Sequence, residues 1–169
     1  MKQKLIQWCR SVALFAACAT GNFMPGAEGE VLPLHVTRDL KIVYQVTDDL
    51  AYEGVNKGLF YAKKLIDTYG REGIDPKEVK MHVVYHGTGL AAVVSDAARV
   101  RLGVREANPN GEILAELLRR GVAVELCENT MRTKGVKPEE VLPGVRLVVG
   151  AYPRLVDLQL LGHAYIKFE

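Results

Sequence analysis

The amino-acid sequence predicts an α/β fold, a three-layer sandwich on a mostly parallel, five-stranded sheet. Two observations predict it. From about Leu40 onward, short runs rich in β-branched residues alternate with segments of helical periodicity. Such alternation favours parallel strands with helices on both faces. The chain also has 169 residues, 49% of them hydrophobic, which suffices for one buried core and is too apolar for a disordered chain.

Residues 41–46 (KIVYQV) form the first strand and end at Thr47, Asp48 and Asp49, which is turn chemistry. Residues 53–69 place Val55, Leu59, Ala62, Leu65 and Ile66 at helical spacing, with Gly70 and Gly73 ending the helix. Residues 80–86 (KMHVVYH) are the second strand, stopped by Gly87, Thr88 and Gly89, and residues 90–100 have helical character. After a break at residues 108–111 (NPNG), residues 112–120 form a short helix that Gly121 caps. Residues 122–126 (VAVEL) make strand three, and residues 128–134 a helical turn. Pro138 opens another helical start, residues 145–149 (VRLVV) are strand four, residues 152–161 a helix and residues 163–168 the last strand. Right-handed crossovers then give a flavodoxin-like or closely related sandwich, in which ligands gather outside the carboxyl ends of the strands.

Residues 1–27 read as an export signal or lipoprotein leader, residues 28–39 as a linker, and residues 40–169 as the folded domain. Lys2, Lys4 and Arg10 supply a positive region, an uncharged stretch runs from Ser11 to Ala19, and Ala17-Cys18-Ala19 matches a small-residue cleavage pattern. The stretch falls short of the roughly 20 apolar residues that span a bilayer. Phe15-Ala16-Ala17-Cys18 also resembles a bacterial lipobox, with Phe15 where an aliphatic residue is expected. On that reading a lipid on Cys18 is the protein's one link to a membrane. An ordinary N-terminal helix is the alternative. The expected setting is periplasmic or otherwise exported.

Charge excludes one class of partner. Three of the 22 basic residues lie in the leader, so the body carries 19 basic against 20 acidic residues, and aromatic residues are only 7% of the chain. Such a surface offers a nucleic acid neither a basic footprint nor stacking platforms. Of the three cysteines, Cys9 and Cys18 lie in the leader, which leaves Cys127 alone in an oxidising compartment. Cys127 is either a reactive thiol or a small buried hydrophobe.

The strand ends decide where to look. Asp48, then His86, Gly87, Thr88 and Gly89, then Cys127, Asn129 and Thr130 all fall on the carboxyl rim of the expected sheet. Cys127 stands between a strand and a helix start, where backbone N–H groups favour the thiolate; Glu128 opposes them. His86 is a proton shuttle for that thiol or a histidine closing a strand. His82 and His86 point to one side of a strand about 13 Å apart, too far to share an ion, so no metal is expected. His86-Gly87-Thr88-Gly89 lacks the glycine spacing of a dinucleotide loop and any phosphate-loop lysine. Its glycines suit a close backbone approach to a small anion or a neighbouring subunit, and no cofactor is expected. Lys63, Lys64 and Asp67, and the cluster Arg99, Arg101 and Arg105, read as solvated charge.

Four segments together carry a resemblance: Tyr44-Gln45-Val46-Thr47-Asp48-Asp49, His86-Gly87-Thr88-Gly89, Cys127-Glu128-Asn129-Thr130, and a closing stretch with Leu158, Gln159, Gly162, Ala164, Tyr165 and Ile166. Over residues 41–168 the chain resembles the DsrE/DsrF-like family, in its exported branch. The resemblance implies a five-stranded sandwich that assembles into homo-oligomers, trimers or hexamers. It also implies a role in sulfur relay, with sulfane sulfur carried as a persulfide on Cys127 between donor and acceptor proteins. Whether such a carrier is an enzyme stays open. A non-catalytic oligomeric module that binds a small ligand or an exported partner is the alternative. A hydrolase or nucleotide binder using His86 and Asp48 or Asp49 is the weaker third, since no nucleophile elbow supports it.

Overall fold

Each β-branched run becomes a strand, and the five strands pair side by side. In the computed structural model, which describes Gly29 and residues 31–168, these are β1 (Leu40–Val46), β2 (Val79–Tyr85), β3 (Ala123–Cys127), β4 (Arg146–Val148) and β5 (Ala164–Phe168). Their order across the sheet is β4-β3-β2-β1-β5, and all neighbours run parallel. Helices α1 (Lys57–Arg71), α2 (Asp96–Arg101), α3 (Gly111–Arg119), α4 (Glu128–Thr133) and α5 (Ala151–Leu160) connect them. The expected α/β sandwich is what forms.

Strand alternation divides the apolar residues between two unequal layers. Ile42, Tyr44 and Val46 of β1, with Met81, Val83, Tyr85, Val124 and Leu126, face one side. There they pack with Leu59, Ala62 and Ile66 of α1 and Leu114 and Leu117 of α3. On the opposite face Val43, Val84 and Cys127 meet Ala151, Leu155 and Leu158 of α5. The thiol therefore lies on the face that, among the described residues, a single helix covers.

Three sequence expectations change. The helix expected from residue 53 starts at Lys57. Glu53 and Gly54 have positive φ and turn a hairpin between Ala51–Tyr52 and Val55–Asn56, after which Asn56 accepts the Gly58 N–H and caps α1. Residues 90–100 do not make one helix. Gly87–Val93 is a 3-10 turn, and Ser95 caps α2 afresh. Arg99, expected in solvent, is buried: its Nη1 donates to the Ala91 carbonyl at 2.7 Å and to Asp49 at 3.1 Å. Its fork neutralises a carboxylate and satisfies carbonyls that burial would leave unpaired.

The leader expected over residues 1–27, with its alternatives at Cys18, lies outside the described residues. The expected linker has no regular structure over residues 31–39. Among the described residues no helix is long and apolar enough to cross a membrane.

Candidate functional site

Cys127 ends β3 and is the N-cap of α4, so the residue that finishes a strand also opens a helix. Its Sγ accepts the Thr130 N–H at 3.5 Å. Burial pushes the thiol up. The Thr130 side chain and the backbone N–H groups of Thr130, Ala151 and Asn129 outweigh it, and the thiol titrates below its ordinary range. Two helix starts thus lie at one sulfur: α4, whose Thr130 N–H bonds it, and α5, whose Ala151 shares its buried cluster. The side chain is 5% exposed.

His86 stands at the end of the neighbouring strand. The β2–β3 register sets Tyr85 opposite Leu126, and His86 stays extended (φ −155°, ψ −177°) with its N–H on the Val46 carbonyl. His86 follows β2 as Cys127 ends β3, and strand alternation puts both on the α5 face. The Tyr165 hydroxyl donates to Gln45 Oε1, so Gln45 Nε2 donates to His86 Nε2 at 2.6 Å. This holds the ring proton on Nδ1. Desolvation, followed by the charge of Lys167, lowers the His86 pKa, so the ring is neutral near neutrality. The Tyr152 ring stands edge-on against it at 5.4 Å.

The Gly87-Thr88-Gly89 turn closes on protein rather than on a ligand. Gly87 has φ +61°, and a Cβ there would stand 2.7 Å from the Thr47 carbonyl oxygen; a Cβ on Gly89 would meet Val46 and Asp48 oxygens at 3.0 and 3.1 Å. Gly89 N–H and Thr88 Oγ1 both donate to the Thr47 carbonyl. The glycines let the β2 turn lie on the backbone that follows β1. Asp48 belongs to that backbone: its Oδ1 accepts the Leu50 N–H and its carbonyl accepts from Asn56, so it shapes a turn.

Two recesses flank the turn. A cavity of about 140 Å³ lies among Asp49, Gly87, Thr88, Leu90, Leu102 and Lys134. A more open depression of about 240 Å³ is walled by Gly87, Asn129, Thr130, Thr133 and Lys134. Cys127 lines neither. Burial raises the Asp49 carboxyl against the opposing pull of Arg99.

The family model of the DsrE/DsrF-like family matches residues 49–168. The chain belongs to the DsrE/DsrF-like family. Members of this family are associated with sulfur relay in general. No curated protein matches the chain significantly. Among solved structures, a protein of unknown function, MTH1491 from Methanobacterium thermoautotrophicum, is 23% identical with a TM-score of 0.55, over 77% of this chain and 100% of its own. The ychN protein from E. coli is 17% identical with a TM-score of 0.52, over 76% of this chain and 100% of its own. At these identities the two structures establish the DsrE/DsrF-like fold alone.

The sequence reading missed the charged group beside the thiol. Glu125 is 1% exposed on β3, two residues before Cys127 and on the same face. It accepts from His82 Nδ1 at 2.9 Å, Arg146 Nη2 at 3.1 Å, and Arg154 Nε and Nη2 at 2.8 and 2.9 Å. Burial alone would push its carboxyl up, yet the hydrogen bonds and charges of His82 and Arg154 hold it at about 2. An acid inside an otherwise apolar strand (VAVEL) was the available signal. Gln45 gave no such signal, because a polar residue near a strand end is ordinary.

Proposed function

We propose that the protein is an exported sulfur carrier that holds sulfane sulfur as a persulfide on Cys127. The observation that carries this reading is the seat of Cys127 as the N-cap of α4, its Sγ accepting the Thr130 N–H at 3.5 Å, which favours the thiolate. The thiolate attacks the sulfane sulfur of a polysulfide or persulfide donor. A sulfur–sulfur bond forms to Cys127 as the donor's own breaks, and the donor's remaining sulfur leaves with the electron pair as a thiolate. In release, an acceptor thiolate attacks the outer sulfur and Cys127 leaves. The lowered thiol pKa makes Cys127 a better leaving group, so the same seat serves both directions. No external oxidant is consumed.

His86 presents its Nδ1 proton as a hydrogen-bond donor at the rim, with Gln45 fixing its tautomer. Gly87, Asn129 and Thr130 wall the depression by which donor and acceptor approach; Thr88, Gly89 and Asp48 keep that wall in place. The leader-like start supports an exported setting; with Cys9 and Cys18 removed in it, Cys127 has no resolving thiol in its own chain, so release requires an acceptor protein or a small thiol. The carrier assembles with copies of itself through the outer face of α5. There Tyr152, Val156 and Leu160 recur every four residues at 70%, 55% and 83% exposure.

Intact-protein mass spectrometry after incubation with polysulfide tests the carrier. A reducible gain of one or more sulfur atoms is expected in the native chain and absent in Cys127→Ser. No gain, with Cys127 inert to alkylation in the folded protein, overturns the proposal. One observation favours a second reading, a non-catalytic binding module: the most enclosed recess, beside Asp49, does not touch the thiol. That reading expects Cys127→Ser to retain full function.

A further inference from the structure

We propose that Glu125 is a positioning residue for Cys127: through Arg154 it holds the first turn of α5 in place over the layer that Ala151 and Cys127 share. The inference rests on the reading of Cys127 as the carrier.

Stability alone is a poor reason for a carboxylate at this place. Removing two charges from water costs about as much as their attraction returns, and apolar replacements of buried pairs are often neutral or stabilising. Geometry gives a better reason. Arg154 lies one turn into α5, its N–H on the Gly150 carbonyl at 3.2 Å, and its Nε and Nη2 grip both Glu125 oxygens. Such a planar fork fixes rotation as well as distance. Ala151, Leu155 and Leu158 also join α5 to the sheet, but apolar packing is non-directional. The fork is therefore the directional restraint on where the Ala151 amide points. Glu125 stands two residues before Cys127 on the same strand face, about 7 Å away at the usual rise, so fork and sulfur share one rigid base. Arg146 donates to the same carboxylate from β4, not from α5. Asp157 takes the remaining Nη1 of Arg154 at 2.9 Å, and His163 packs edge-on against His82 at 5.1 Å.

The test is the thiol's titration midpoint, read from thiolate absorbance in the ultraviolet against pH. Subtracting the Cys127→Ser spectrum removes Cys9, Cys18 and the tyrosines. In Glu125→Gln two causes have opposite signs: loss of a nearby negative charge lowers the midpoint, and loss of the restraint raises it. A rise of about half a pH unit or more is expected. A fall, or no change, overturns the proposal. Arg154→Met is expected to raise the midpoint likewise and Arg146→Met to leave it in place; equal shifts in these two would mean charge alone, again against the proposal. These two also decide the matter if Glu125→Gln does not fold. Persulfide loading is measured separately in the native chain. A moved midpoint without loading sinks the carrier and spares the positioning role, and loading with an unmoved midpoint does the reverse.

Discussion

At Gly87 the loss of a side chain is a steric requirement of the fold. With φ at +61° and a hypothetical Cβ 2.7 Å from the Thr47 carbonyl, Gly87→Ala strains its own backbone and parts the two turns that close the carboxyl rim. We expect a loss of roughly 2 kcal/mol, read as a lower urea midpoint at unchanged slope. An unchanged midpoint would mean that the β2 turn does not lie on β1 as described. The composition of this turn was readable in the sequence and its purpose was not. Two glycines flanking a threonine signal a close approach, but the approaching atom belongs to Thr47, some forty positions away. Cys127 was more transparent, because one residue both ended a β-branched run and preceded a helical one. The pull of the Ala151 amide on its sulfur was not, since a neighbour across the sheet face leaves no local mark.

Elements obeyed their local signals where those signals were strong, as in β1, β2 and α3. They departed where a turn intervened, at Gly54 and again at Gly87 to Gly89. What ties the elements around the thiol together is the Glu125 cluster, which joins β3, β4 and α5 and brings His82 from β2. Its carboxyl is held at about 2 against an ordinary 4.5. A depressed carboxyl contributes stability that is present above the ordinary value and lost as pH falls through the folded one. The contribution, on the order of 3 kcal/mol, should therefore disappear between about pH 4.5 and about pH 2. Urea midpoints of the native chain and Glu125→Gln are expected to differ most above that window and to converge through it. A gap that persists at the acid end would assign the difference to packing rather than to the charge.

Across the whole molecule, the sheet's two faces explain where a partner fits. One face is closed by α1 and α3; the other carries α5, whose inner residues Ala151, Leu155 and Leu158 reach the sheet while Tyr152, Val156 and Leu160 face out. A helix apolar on both sides suits burial between two layers, and among the described residues only the sheet provides one. The proposed assembly sets a second copy on the other side. Tyr152 joins this surface to the site, because its ring packs on His86. Light scattering on the native chain is expected to give a mass of several subunits, and Val156→Asp with Leu160→Asp a monomer with the native far-ultraviolet spectrum. Both positions lie away from Cys127 on the outer stripe, so the thiol remains intact in that monomer. If the native chain is itself a monomer at micromolar concentration, the α5 face is not a contact between copies. If the charged variant keeps the native mass, assembly uses another surface.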